Sequence, residues 1–173
     1  MKVIFLDRDG VINKEVKYLH NIDNFIFIDG VFEACRKFIY YGYQLIIITN
    51  QSGIARGYYS EQDYYDLNKW MLAKFSKEGI KFLDVLFCPH GPNSSCNCRK
   101  PKPGMLLEAK KLYDIDMLNS WMIGDKFEDL LAAKSAGINN TILVKSGHPI
   151  DEQTSEAKYI LKSIKESLGV IKF

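Results

Sequence analysis

The sequence predicts an α/β fold, a doubly wound and mostly parallel sheet of about five strands with helices on both faces. Three observations carry the prediction. Short apolar runs recur at 3–6, 45–48, 85–87, 121–123 and 141–144, helical patterns lie between them, and each run ends in a polar or glycine-bearing loop. Sheets of this kind bind ligands beyond the carboxyl ends of their strands, so functional side chains are expected in those loops.

The elements follow in order. The first run leads into Asp7-Arg8-Asp9-Gly10-Val11-Ile12-Asn13. Positions 31–41 read as a helix, and Ser60 with Asp63 three residues later resembles a capping box opening a second helix that Gly79 closes. Pro103 starts a third that runs to about Tyr113, and 127–136 forms a fourth ended by Gly137. In the tail, Ala157, Ile160, Leu161, Ile164 and Leu168 fall at helical spacing, which predicts a last helix packed back onto the sheet. The segment between Gly10 and Gly30 carries Tyr18, His20 and Phe25; it is long enough to rim a pocket and too short for an inserted domain, so the site is expected to be capless.

Bulk properties narrow the function classes. A chain of 173 residues is the length of one ordinary domain, expected here to span 1–173, and 47% hydrophobic with 25% charged residues suits a soluble fold. A net charge of +2, from 23 basic and 21 acidic residues, weighs against a nucleic-acid groove or a membrane-binding face, and the aromatics are not interleaved with a basic stripe. No apolar stretch reaches the length of a membrane span, so a cytoplasmic protein is expected, and a monomer with it. Of four cysteines, three crowd between positions 88 and 98, a pattern of metal ligation in a reducing compartment; Cys35 stands apart as a small apolar helix residue.

The loops carry the chemistry. At a strand end alternate residues point the same way, so Asp7 and Asp9 can meet one substrate while Gly10 turns the backbone. Carboxylates so close repel unless a cation lies between them, which points to magnesium-assisted phosphoryl transfer with one aspartate as nucleophile and the other as acid/base. After the second run, Thr49, Asn50, Gln51 and Ser52 with Gly53 and Gly57 make a phosphate-friendly turn, and Arg56 adds a forked donor suited to a second phosphate. Cys88, His90, Cys96 and Cys98 have the spacing of a closed, tetrahedral Zn2+ site that would pin an otherwise coreless loop. Directly after it, Lys100 can hold nucleophile and phosphoryl group together, and Arg99 can clasp a more distant anionic group. Asp125, the first side chain beyond Gly124, is the expected Mg2+ ligand; Asp129 either supports that site or simply favours its helix dipole, and Lys126 either touches substrate phosphate or is surface.

In this order, Asp7-x-Asp9-Gly10, Thr49, Lys100 and Gly124-Asp125 resemble the four signature motifs of the haloacid dehalogenase superfamily of phosphohydrolases, over residues 3 to about 145. More narrowly, the Asp-Arg-Asp-Gly-Val-Ile-Asn, Thr-Asn-Gln-Ser-Gly-Ile-Ala-Arg-Gly and Cys-Arg-Lys-Pro-Lys-Pro-Gly-Met segments are similar to those of its heptose-bisphosphate phosphatases. The resemblance implies a capless Rossmann-like fold, Mg2+, a structural Zn2+, and removal of the C7 phosphate of a heptose 1,7-bisphosphate through an aspartyl-phosphate, within nucleotide-heptose synthesis for surface polysaccharide. It makes Asp7 the nucleophile and Asp9 the proton donor, with Mg2+ held by Asp7, Asp9 and Asp125. Thr49 and Lys100 would steady the phosphoryl group, Arg99 would recognise substrate, and Glu15, Tyr18, Asn50, Gln51, Ser52 and Lys126 would supply further contacts. The short spacer between His90 and Cys96 looks more like that of the related histidinol-phosphate phosphatases, so that substrate stays open, while Asn13 and Pro103-Gly104-Met105 favour the heptose. A zinc-bearing phosphate-binding module without catalysis is the third reading, against which the complete set Asp7, Asp9, Lys100 and Asp125 stands.

Overall fold

The structure, a computed structural model, describes residues 1–152 and 155–172. Strands β1 (Val3–Leu6), β2 (Gln44–Asn50), β3 (Asp84–Cys88), β4 (Trp121–Gly124), β5 (Asn140–Val144) and β6 (Tyr159–Leu161) pair in parallel in the order β3-β2-β1-β4-β5-β6. Helices α1 (Val31–Tyr40), α2 (Glu61–Lys77), α3 (Gly104–Tyr113) and α4 (Phe127–Ser135) fill the crossovers. Strand order reverses between β1 and β4, and the crevice beyond their carboxyl ends is where a doubly wound sheet takes its ligand.

Both faces of the central strands are covered, which is why they read as continuous apolar runs. On one face Ile4, Leu6, Leu45 and Ile47 pack with Val31, Phe38, Leu67 and Phe75 of α1 and α2; on the other Val3, Phe5, Ile46 and Ile48 meet Met105, Ala109, Ala132 and Ala133 of α3 and α4. The expected capping box is present: Ser60 Oγ accepts from Asp63 N–H at 3.1 Å and Asp63 Oδ2 accepts from Ser60 N–H at 2.7 Å. Cys35 is buried among apolar neighbours on α1, as its isolation suggested.

The expected sheet of about five strands gains a sixth, and one expectation, the helical tail, requires correction. The tail is no α-helix: it adds β6 beside β5 and then makes a 3-10 turn, Ile164–Gly169. The edge of β5 offers unpaired backbone groups that a short segment satisfies better by pairing than by coiling, and Lys145 N–H donates to Leu161 O at 3.0 Å. Ile164 is still buried against the sheet, so the packing expected of the tail holds while its secondary structure differs. The segment between β1 and α1 folds back on itself, Ile28 N–H donating to Ile12 O at 2.9 Å and Lys14 N–H to Ile26 O at 2.8 Å. Among the described residues no helix is long and apolar enough to cross a membrane.

Candidate active site

Register decides which loops meet. Leu6 pairs with Ile123, and Asp7 N–H extends the contact by donating to Ile123 O at 3.0 Å, so the first residues past β1 and β4 emerge side by side. Asp7, Asp125 and Asp129 each place one carboxylate oxygen within 4.8 Å of the others, all three residues buried. Glycine makes this approach possible: a Cβ on Gly10 would lie 2.3 Å from Asp125 Oδ2, and one on Gly147 would lie 2.0 Å from it.

Lys100 joins the cluster from the far side of β2. Only 3% exposed, its Nζ lies 3.1 Å from Asp7 Oδ1, 2.7 Å from Asp129 Oδ1 and 2.9 Å from Ile48 O, an acceptor for each ammonium proton. Asn50 fixes its backbone reciprocally, accepting from Lys100 N–H at 3.1 Å and donating to Lys100 O at 3.0 Å. Burial works to lower the Lys100 pKa, but Asp129 and Asp7 outweigh it and hold the ammonium above the usual lysine range. Burial pushes Asp7 up to about 8 against the pull of Lys100, with Asp129, Asp125 and Asp9 adding to the rise. Burial and the neighbouring acids raise Asp7 and Asp125 together, so the cluster holds more carboxyl groups than its one ammonium can pair with. Asp125 Oδ1 is in addition a buried acceptor without a partner. The donor set, all hard oxygen, fits Mg2+.

Asp9 sits in a different environment. Its carboxylate accepts from the fully buried guanidinium of Arg8 (Nη2 at 3.0 Å), from Asn13 Nδ2 at 2.9 Å and from Gln51 Nε2 at 3.0 Å, so it is aimed by donors while Asp7 is crowded by acceptors. Two aspartates one residue apart are thus given different surroundings, Asp7 among other acids and one ammonium, Asp9 among donors.

A cavity of about 310 Å³ opens over these groups, lined by Asp7, Asp9, Glu15, Tyr18, Thr49, Asn50, Gln51, Ser52, Arg99, Lys100 and Lys126 among others. Arg56 is not among them. The turn that starts with Gln51 rolls away, Arg56 N–H donating to Ser52 O at 3.1 Å, so residues 51–53 face the cavity and Arg56 faces solvent. Tyr18 takes φ +57°, a left-handed conformation, and its ring packs on Tyr58 at 4.5 Å. Burial and the nearby Asp9 raise the pKa of Glu15.

Cys88, His90, Cys96 and Cys98 converge, with Cys88 Sγ 2.8 Å from Cys98 Sγ and 3.7 Å from Cys96 Sγ, and His90 Nδ1 3.3 Å from Cys98 Sγ. Three sulfurs and one imidazole in a tight group suit Zn2+ and leave no protein-free position by ligand count. The loop they gather also orients the pocket's cations: Arg99 Nη1 donates to His90 O at 3.2 Å, one residue before Lys100.

Sequence reasoning left Asp129 undecided and passed over His148. Asp129 is 1% exposed; besides meeting Lys100, its Oδ2 accepts from Asp125 N–H at 3.1 Å and Lys126 N–H at 3.0 Å, fixing the turn that presents Asp125. His148 Nδ1 lies 2.5 Å from Asp125 Oδ2, carried there by the loop after β5, which Ser146 Oγ ties to Gly10 O at 2.6 Å. The only local signal was a glycine and a histidine at a strand's carboxyl end.

Comparison with known proteins agrees with this geometry. A family model described as HAD-hydrolase-like matches residues 97–167. The chain is 48% identical to a D-glycero-beta-D-manno-heptose-1,7-bisphosphate 7-phosphatase of Pasteurella multocida, covering 99% of this chain and 97% of the relative. It is 47% identical to a D-glycero-alpha-D-manno-heptose-1,7-bisphosphate 7-phosphatase of Campylobacter jejuni, with 99% and 96% covered. Among solved structures, a D,D-heptose 1,7-bisphosphate phosphatase from B. bronchiseptica complexed with magnesium and phosphate superposes with a TM-score of 0.86 at 31% identity, covering 95% of this chain and 94% of that one.

Proposed function

The chain belongs to the heptose-bisphosphate 7-phosphatases of the haloacid dehalogenase-like hydrolases, and from that premise we propose that it removes the C7 phosphate of D-glycero-D-manno-heptose 1,7-bisphosphate by way of an Asp7 aspartyl-phosphate. The observation that supports the reading is the convergence of Asp7, Lys100 and Asp125 at the carboxyl ends of β1 and β4, with Lys100 Nζ 3.1 Å from Asp7 and Asp7 lining the cavity.

Asp7 attacks phosphorus in line, the bond from phosphorus to the C7 oxygen breaks, and Asp9 delivers a proton to that departing oxygen. Asp9 then takes a proton from the water that attacks the aspartyl-phosphate, which releases phosphate and restores Asp7. Thr49 binds a phosphoryl oxygen and the Lys100 charge offsets that of the phosphoryl group, while the ammonium, shared between Asp7 and Asp129, keeps the nucleophile in place for the incoming anion. Asp7, Asp125 and the Asp9 carbonyl would hold Mg2+, whose charge offsets the repulsion between a carboxylate nucleophile and a phosphate ester. Arg99, Lys126, Glu15 and Tyr18 line the rest of the cavity and suit the sugar and its second phosphate. Cys88, His90, Cys96 and Cys98 would hold a structural Zn2+.

The test is a phosphate-release panel with magnesium, comparing the two anomers of heptose 1,7-bisphosphate with histidinol phosphate. The bisphosphates are expected to be turned over at least about a hundredfold more efficiently, because a pocket with spare cations discriminates strongly against a ligand that leaves them unpaired. Preference for histidinol phosphate overturns the substrate and leaves the chemistry of Asp7 and Asp9 standing.

A further inference from the structure

Tyr59 takes no part in the reaction as described, yet its hydroxyl begins a hydrogen-bond chain that ends on Asp9. The Tyr59 hydroxyl donates to Gln51 Oε1 at 2.5 Å, and Gln51 Nε2 donates to both Asp9 Oδ2 and Thr49 Oγ1 at 3.0 Å. A side-chain amide can serve those two acceptors only with its nitrogen turned toward them, so a donor is needed behind its oxygen. Tyr59 is that donor. Its ring has little freedom: a Cβ on Gly53 would lie 2.1 Å from the ring, and the His20 imidazole stacks on it at 5.3 Å with planes 14° apart. Burial pushes the hydroxyl pKa up to about 12, so it stays protonated.

We propose that Tyr59 is a positioning residue for the Asp9 proton transfer, acting through Gln51. Arg8 and Asn13 converge on Asp9 Oδ1, with Arg8 reaching Oδ2 as well, whereas Gln51 supplies a donor to Oδ2 from the pocket side. Removing the Tyr59 hydroxyl frees the amide to rotate about its terminal torsion, and Asp9 loses part of what fixes its angle. The inference rests on the phosphatase reading, in which Asp9 protonates the leaving oxygen.

Tyr59→Phe keeps the ring between Gly53 and His20 and removes only the hydroxyl. A sugar alkoxide needs a proton to leave and p-nitrophenolate does not, so misplacing the acid penalises the two leaving groups unequally. In single-turnover formation of the phosphoenzyme, Tyr59→Phe is expected to slow the sugar bisphosphate about tenfold with KM changed less than about twofold, and to slow p-nitrophenyl phosphate several-fold less. Gln51→Ala combined with Tyr59→Phe is expected to lose no more than Gln51→Ala alone, since both act through one amide. Equal losses on both substrates, a change confined to KM, or additive losses in the double variant overturn the inference. A wild-type enzyme that releases phosphate from neither substrate sinks the phosphatase reading and this inference together; an active wild type with an undiscriminating Tyr59→Phe sinks the inference alone.

Discussion

Burying a lysine ammonium is costly unless every proton finds an acceptor, and Lys100 meets that condition with Asp7, Asp129 and the Ile48 carbonyl. Replacing it by methionine keeps a stem of similar length and deletes the charge, which leaves three buried carboxylates with no ammonium among them. Lys100→Met is therefore expected to lower stability in magnesium-free buffer by about 3 kcal/mol, read from the urea midpoint, and to cost at least about a hundredfold in turnover. An unmoved midpoint would show that the ion pairs are not made in solution. Asp7, Lys100 and Asp125 were legible in sequence because each closely follows a recognisable punctuation: a buried strand, a cysteine pair, a strand-ending glycine. Asp129 was not, since an acidic residue in a helix's first turn is equally well explained by the dipole, and only its contact with Lys100 separates the two. His148 reaches Asp125 across 23 positions of chain, a distance at which local spacing is silent.

At the scale of elements, the strands and the four main helices follow from apolar runs and capping signals, whereas the tail does not. Its apolar period suits a helix, but β6 is set by the free edge of β5. That is a long-range choice made by a partner strand. The cysteine and histidine loop is the opposite case, its ligands being close in sequence and its function that of a clamp on its neighbours. If Zn2+ fixes that loop, Cys98→Ser should purify with markedly less zinc, and KM for the bisphosphate should rise on the order of tenfold while kcat changes less, because Arg99 hangs from the His90 carbonyl. Full zinc content with a normal KM in that variant would remove the loop from substrate recognition.

One end of the sheet gathers desolvated carboxyl groups, and their raised pKa values couple the stability of the whole molecule to pH. Asp7 in the folded chain is raised to about 8, Asp125 is raised as well, and an unfolded aspartate titrates near 3.8. Between those values the folded state binds more protons than the unfolded one, so stability falls as pH rises. Lys100, raised above its ordinary range, stays charged in both states across this window and adds no slope. The exposed carboxylates of Asp63, Asp116 and Glu156 are shifted downward, so their stabilising contribution is already complete above about pH 5. Magnesium-free protein is accordingly expected to melt at progressively lower temperature from pH 5 to pH 8. Saturating Mg2+ should raise the melting temperature more at pH 8 than at pH 5, since the ion replaces protons already lost at the higher pH and must displace them at the lower. Thermal unfolding at matched ionic strength decides the matter, calcium-free and with zinc retained. A melting temperature that is flat or rising with pH in the absence of magnesium would mean that the three carboxylates do not share one desolvated site, and the cation-binding geometry inferred from β1 and β4 would fall with it.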